Sequence, residues 1–117
     1  MSMEFQDTNR LMPTDPRYQA VTGASVAVPI PEGWAGAFVT LQAIGGTVLF
    51  KPGDASVEVD KTFADPTKIG WQLTAGAQDD WRIPPGLGFL AIVTPSPGTV
   101  YLLWALTSDK SQPRGVT

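Results

Sequence analysis

The chain has no cysteine and no histidine. The first absence excludes a disulfide framework, a thiolate nucleophile and a zinc site built on thiolates. The second removes the usual general base, every Ser-His-Asp arrangement and the commonest metal ligand. Charge is also scarce, at 16% of residues against about 25% in an average globular domain. Long apolar runs are missing too. The longest, within residues 86–93 and 100–106, fall far below the ~20 residues of a membrane span. Residues 1–10 carry polar and acidic side chains where a signal peptide needs an apolar stretch. The expectation is a soluble protein without a secretion signal. A net charge of −3 and a pI near 4.6 disfavour nucleic acid and anionic membrane as partners.

What is present points to one β-rich domain. A chain of 117 residues is the size of a single domain and buries about two thirds of its unfolded surface. Hydrophobic residues at 43% argue against disorder. The 12 glycines and 11 prolines argue against a helical bundle, because these are the two worst residues for a helix interior. The few charges cluster: residues 33–50 have none and residues 83–108 have none. Two long neutral blocks imply two regions covered by other protein surface, either the chain's own second sheet or another subunit.

Short β runs punctuated by turns fill the middle of the chain. They lie at residues 24–30, 37–43, 47–51, 56–60, 71–74, 78–83, 87–94 and 99–107. Gly45-Gly46 and Pro95-Ser96-Pro97-Gly98 each read as hairpin turns, since tight primed turns need positive φ. The last two runs are continuously apolar, so both of their faces should be covered. The expected architecture is an all-β antiparallel sandwich, jelly-roll-like, of about eight short strands. Residues 1–17 read as an irregular N-terminal arm, 18–108 as the sandwich, and 109–117 as a polar tail.

The candidate constellations are few. Trp104 sits inside an apolar run and belongs to the core. Trp34, Trp71 and Trp81 could close the open ends of the sandwich. They could also anchor an interface, where Trp and Arg concentrate binding energy, or stack on sugar rings. Asp79 and Asp80 are adjacent and would point to opposite faces of a strand. In a turn they could instead join Asp54, Glu58 or Asp60 around calcium, but no Asp-x-Asp-x-Asp-Gly run supports that. A glycosidase needs two carboxylates facing across a cleft, and no spacing here argues for one. Gly45-Gly46 and Gly86-Leu87-Gly88 lack the spacing and the following helix of a phosphate loop. Gly33-Trp34-Ala35-Gly36-Ala37 holds no serine for a nucleophile elbow. No catalytic, cofactor or metal residues are therefore assigned, and the chain reads as a non-enzyme.

The order of the segments resembles that of small β-sandwich virion structural proteins of tailed bacteriophages. An opening strand of the form V-x-x-P-x-G is filled by Val28, Pro31 and Gly33. An L-x-x-G segment is filled by Leu73 and Gly76. A closing aromatic-x-A-I … G-T-x-x-L pair is filled by Phe89, Ala91, Ile92, Gly98, Thr99 and Leu102. The resemblance spans residues 20–107; Pro84-Pro85 and the additional tryptophans depart from it. It implies a non-enzymatic structural protein of the virion, assembled in the host cytoplasm: a head decoration, cement or minor capsid protein first, or else a head fibre or a neck or tail accessory protein. Its partners would be the major capsid protein, other virion proteins and further copies of the chain. Phe5, Leu11 and Met12 on the arm, with Trp34, Trp81 and Arg82, are the expected interface residues. A carbohydrate-binding module using surface tryptophans is the competing expectation.

Overall fold

A computed structural model describes the backbone of residues 13–107 and the side chains of residues 16–107. The chain forms β1 (Pro13–Val21), β2 (Val26–Pro29), β3 (Phe38–Ile44), β4 (Val48–Gly53), β5 (Trp71–Leu73), β6 (Gln78–Arg82), β7 (Phe89–Val93) and β8 (Val100–Thr107), with a short 3₁₀ turn at Pro66–Lys68. The strands make two antiparallel four-stranded sheets, sheet A in the order β1-β8-β3-β6 and sheet B in the order β2-β7-β4-β5. The pairs β1–β8, β2–β7, β3–β6 and β4–β5 are the rungs of one long hairpin. Rolled up, it deals successive rungs to alternate sheets, which is the jelly-roll arrangement.

Strand position explains the neutral blocks. The central strands are β8 and β3 in sheet A and β7 and β4 in sheet B, and all four fall largely within the uncharged stretches. A central strand has neighbours on both sides and a core beneath it, so an ionised side chain there would lose its hydration. Val39, Leu41, Leu102 and Trp104 from sheet A meet Val48, Phe50, Leu90 and Ile92 from sheet B in the main core. Each such fully buried aliphatic side chain contributes on the order of 1.5–3 kcal/mol relative to exposure.

Sheet B is covered on its outer face as well. Residues 54–70 lie across it and bring Val57 and Val59 onto Leu49, Ala91 and Val93. The Val59 amide donates to Ser25 Oγ at 3.0 Å, and Lys61 Nζ donates to the Gly23 carbonyl at 2.9 Å. Residues 56–60 therefore bury alternate valines as expected, but form no strand. Their amides bond to side chains and turns rather than to a ladder.

Three further expectations change. Gly45-Gly46 does not close a hairpin, because β3 and β4 lie in different sheets. These glycines allow a close crossing: a Cβ on Gly45 would sit 2.3 Å from the Thr99 carbonyl oxygen, and one on Gly46 would sit 2.7 Å from Ser96 and Val100. Residues 95–98 likewise carry the chain from sheet B to sheet A, not through a hairpin. Finally, β1 starts at Pro13, so residues 13–17 of the expected arm belong to sheet A. Phe5, Leu11, Met12 and the tail 109–117 lie outside the described residues.

Candidate interaction face

The outer face of sheet A is the one broad sheet face that the described residues leave open. Residues directly paired across strands share a face, so the register defines its rows. Tyr18, Leu103, Gln42 and Gln78 form one row; Ala105, Thr40 and Asp80 form the next. Tyr101 with Ala20 and Ile44 borders them on one side, and Phe38 with Arg82 on the other. Charge on these rows is confined to the edge strand β6.

A groove of about 230 Å³ runs into this face, lined by Pro16, Thr40, Gln42, Gln78, Leu103 and Ala105. It exists because Ala105, on a central strand, is small and lies low between larger neighbours. Its floor, Ala105 and Thr40, is buried. Thr40 donates its hydroxyl to Asp80 Oδ1 at 2.8 Å, which orients both groups and satisfies the hydroxyl. The groove thus offers apolar walls and two amide side chains. Tyr18 and Tyr101 stand beside each other at its border, 6.2 Å between ring centres. Tyr18 is 66% exposed and Phe38 is 46% exposed.

Of the residues expected to form an interface, the three described ones, Trp34, Trp81 and Arg82, do not share one surface. Trp34 is a core residue, 2% exposed, although a glycine-flanked loop carries it. Its ring meets Trp104 edge-on at 5.3 Å, and the Arg17 guanidinium lies over it at 5.4 Å. Trp81 pairs with Val39 on the inner face and packs edge-on against Phe50 at 5.4 Å. Arg82 points outward, beside Phe38, and its Nε donates to the Gly36 carbonyl at 3.0 Å. Trp71 is 61% exposed and stacks on Phe50 at 6.4 Å. Trp71, Phe50 and Trp81 therefore close the open side of the sandwich between β5 and β6. With Trp34 buried, no three-tryptophan platform forms. Asp79 and Asp80 lie on β6 and point to opposite faces, as adjacent strand residues must.

The loop over sheet B is held by a dense set of side-chain hydrogen bonds. Asp60 accepts from the Thr62 amide and hydroxyl and from the Ala64 and Asp65 amides at 2.7–3.0 Å. The Thr62 hydroxyl, followed by these amides, holds its carboxyl down to about 2. Hydrogen bonds from Ser56 and Thr67 likewise lower Asp54 and Asp65. Lys68 lies against Glu58, whose hydrogen bond and charge raise the ammonium above its ordinary value. These contacts hold Phe63 at φ 58°, the one non-glycine residue with positive φ among those described.

No protein-family model, curated protein or solved structure matches this chain.

Proposed function

We propose that the chain is a non-enzymatic structural subunit of a virus particle, a capsid decoration or minor capsid protein of the kind found in tailed bacteriophages. Its work is cohesion with neighbouring virion proteins, the major capsid protein first among them. The observation that carries this reading is the open, mostly uncharged outer face of sheet A, with its apolar groove and its exposed Tyr18, Phe38 and Tyr101. Depletion of charge and enrichment of aromatics mark the buried centre of protein interfaces.

The sheet edges support contact through a face rather than through strand addition. β1 carries Pro13, Pro16 and a register shift between Thr14 and Arg17. β2 ends in Pro29, β5 has three residues, and β6 carries Asp79, Asp80 and Arg82. Each is a device that blunts an edge. Jelly rolls occur in viral capsids and in lectins. Peptide mass spectrometry with copy counting on purified particles tests the reading. Hundreds of copies per particle fit a lattice component and a few to tens fit a neck or fibre part, while absence from the particle removes the reading.

The exposed Trp71 favours a second reading, a glycan-binding module with one stacking indole. A saccharide that shifts the fluorescence of the native chain but not of Trp71→Ala would support it.

A further inference from the structure

We infer that the groove on the outer face of sheet A is the seat of the N-terminal segment, residues 1–12, of a second copy of this chain. The inference deepens the structural-subunit reading and rests on it. It names one partner of the face and the mode of contact.

The argument starts from where the chain leaves the described structure. Pro13, the first residue of β1, pairs with Thr107, the last residue of β8. Both outlying segments therefore depart from the same end of sheet A, whose outer face holds the groove. The two segments differ in chemistry. Residues 108–117 hold no large apolar side chain but Val116, whereas residues 1–12 include Met3, Phe5, Leu11 and Met12. Met3 and Phe5 alternate with polar neighbours, a spacing that places both on one side of an extended chain. Such a segment presents apolar side chains to a surface while its own polar groups face out.

The groove matches that chemistry. Pro16, Leu103 and Ala105 supply apolar surface, and Gln42 and Gln78 supply amide donors and acceptors. None of its lining side chains is charged, so it suits the apolar Met3, Phe5, Leu11 and Met12 of the segment, while Glu4, Asp7 and Arg10 stay in solvent. The reach is sufficient: 12 residues extend to about 40 Å at ~3.3–3.6 Å each.

The direction of β1 selects a second copy over the chain's own segment. Pro16 lines the groove only three residues after the strand begins at Pro13. The same chain could reach the groove only by reversing at once. A segment that continues outward meets a neighbour instead. The contact then joins two different surfaces, arm to groove. Repeated around a closed symmetry it gives a ring, and each copy both gives and receives an arm.

The absence of native cysteine allows a direct test on the purified full chain. Phe5→Cys and Gln78→Cys are made as separate proteins, mixed and oxidised. The expected result is a mixed disulfide in at least tenfold excess over that from Phe5→Cys with Ala64→Cys, a position on the opposite side of the sandwich. Equal yields overturn the inference. So does a chain carrying both Phe5→Cys and Gln78→Cys that closes the bond within one molecule at high dilution. The full chain should be an oligomer in solution, and deleting residues 2–12 should convert it to a monomer with an unchanged unfolding midpoint; a monomeric full chain at high concentration overturns the inference. An unchanged oligomer, or a deletion that unfolds the domain, also overturns it. Particle copy number is independent of these outcomes, so the arm-to-groove contact and the virion role fail separately.

Discussion

Trp34 sets the edge of its indole against Trp104 at 5.3 Å, with 78° between the ring planes. A loop residue and a mid-strand residue thereby share one core. Edge-to-face pairs add to what burial already contributes. Trp34→Ala should therefore cost about 3–5 kcal/mol, read as a lower denaturant midpoint with an unchanged slope. Trp71→Ala, at a 61% exposed position, should cost much less. Equal losses would contradict the assignment of these two residues.

Asp60 gives the loop over sheet B a pH signature. Its carboxyl is held at about 2 in the folded chain, below an ordinary value near 3.8. A depressed folded value contributes stability that is fully present above the unfolded value and is lost as pH falls through the folded one. Asp54 and Asp65 act in the same direction. Unfolding midpoints should be flat from neutral pH to about 4 and then fall toward pH 2. Asp60→Asn should make that fall shallower. A variant whose acid limb matches the native one would show that Asp60 does not titrate as described.

Phe63 holds positive φ at 58° and is 50% exposed. Left-handed backbone costs an L-residue roughly 1–2 kcal/mol, and glycine avoids that cost. Phe63→Gly should leave thermal stability unchanged or raise it, whereas Phe63→Ala should not raise it. A clear loss of stability in the glycine variant would mean that the ring holds the loop in place.

Gly45 and Gly76 separate conformation from contact. Both have positive φ, but only Gly45 has a backbone oxygen where a Cβ would go, 2.3 Å away on Thr99. Gly45→Ala should lose more stability than Gly76→Ala and exceed about 1 kcal/mol. Similar losses would show that the crossing between β3 and β4 can relax.

Much of the fold is readable in the sequence, and the reasons are local. Strands β3, β4, β7 and β8 are apolar because they are central, so composition marks them. β1 escapes notice because an edge strand with Pro13, Asp15, Pro16 and Arg17 looks like a loop. The crossings at Gly45-Gly46 and residues 95–98 resemble hairpins because turn residues report backbone geometry, not which sheet the chain enters next. Trp34 is among the expected interface residues because it stands at a glycine-flanked loop-to-strand junction, yet the loop folds inward and buries it. The groove has no linear signal, since Thr40, Ala105 and Pro16 come from three strands that meet only in sheet A. The neutral blocks 33–50 and 83–108, which flank the charged residues 51–82, are its nearest trace, and most of that neutrality belongs to the core.

The central claim is that the outer face of sheet A is the one buried on assembly, and hydroxyl-radical footprinting tests it most directly. The isolated chain and the chain within its particle are oxidised side by side and the labelled peptides are compared. The account predicts strong protection of Tyr18, Phe38, Tyr101 and Leu103 in the particle, with Phe63 and Trp71 labelled as in the free chain. Unchanged labelling of the sheet A residues, or protection only at Phe63 and Trp71, would contradict it.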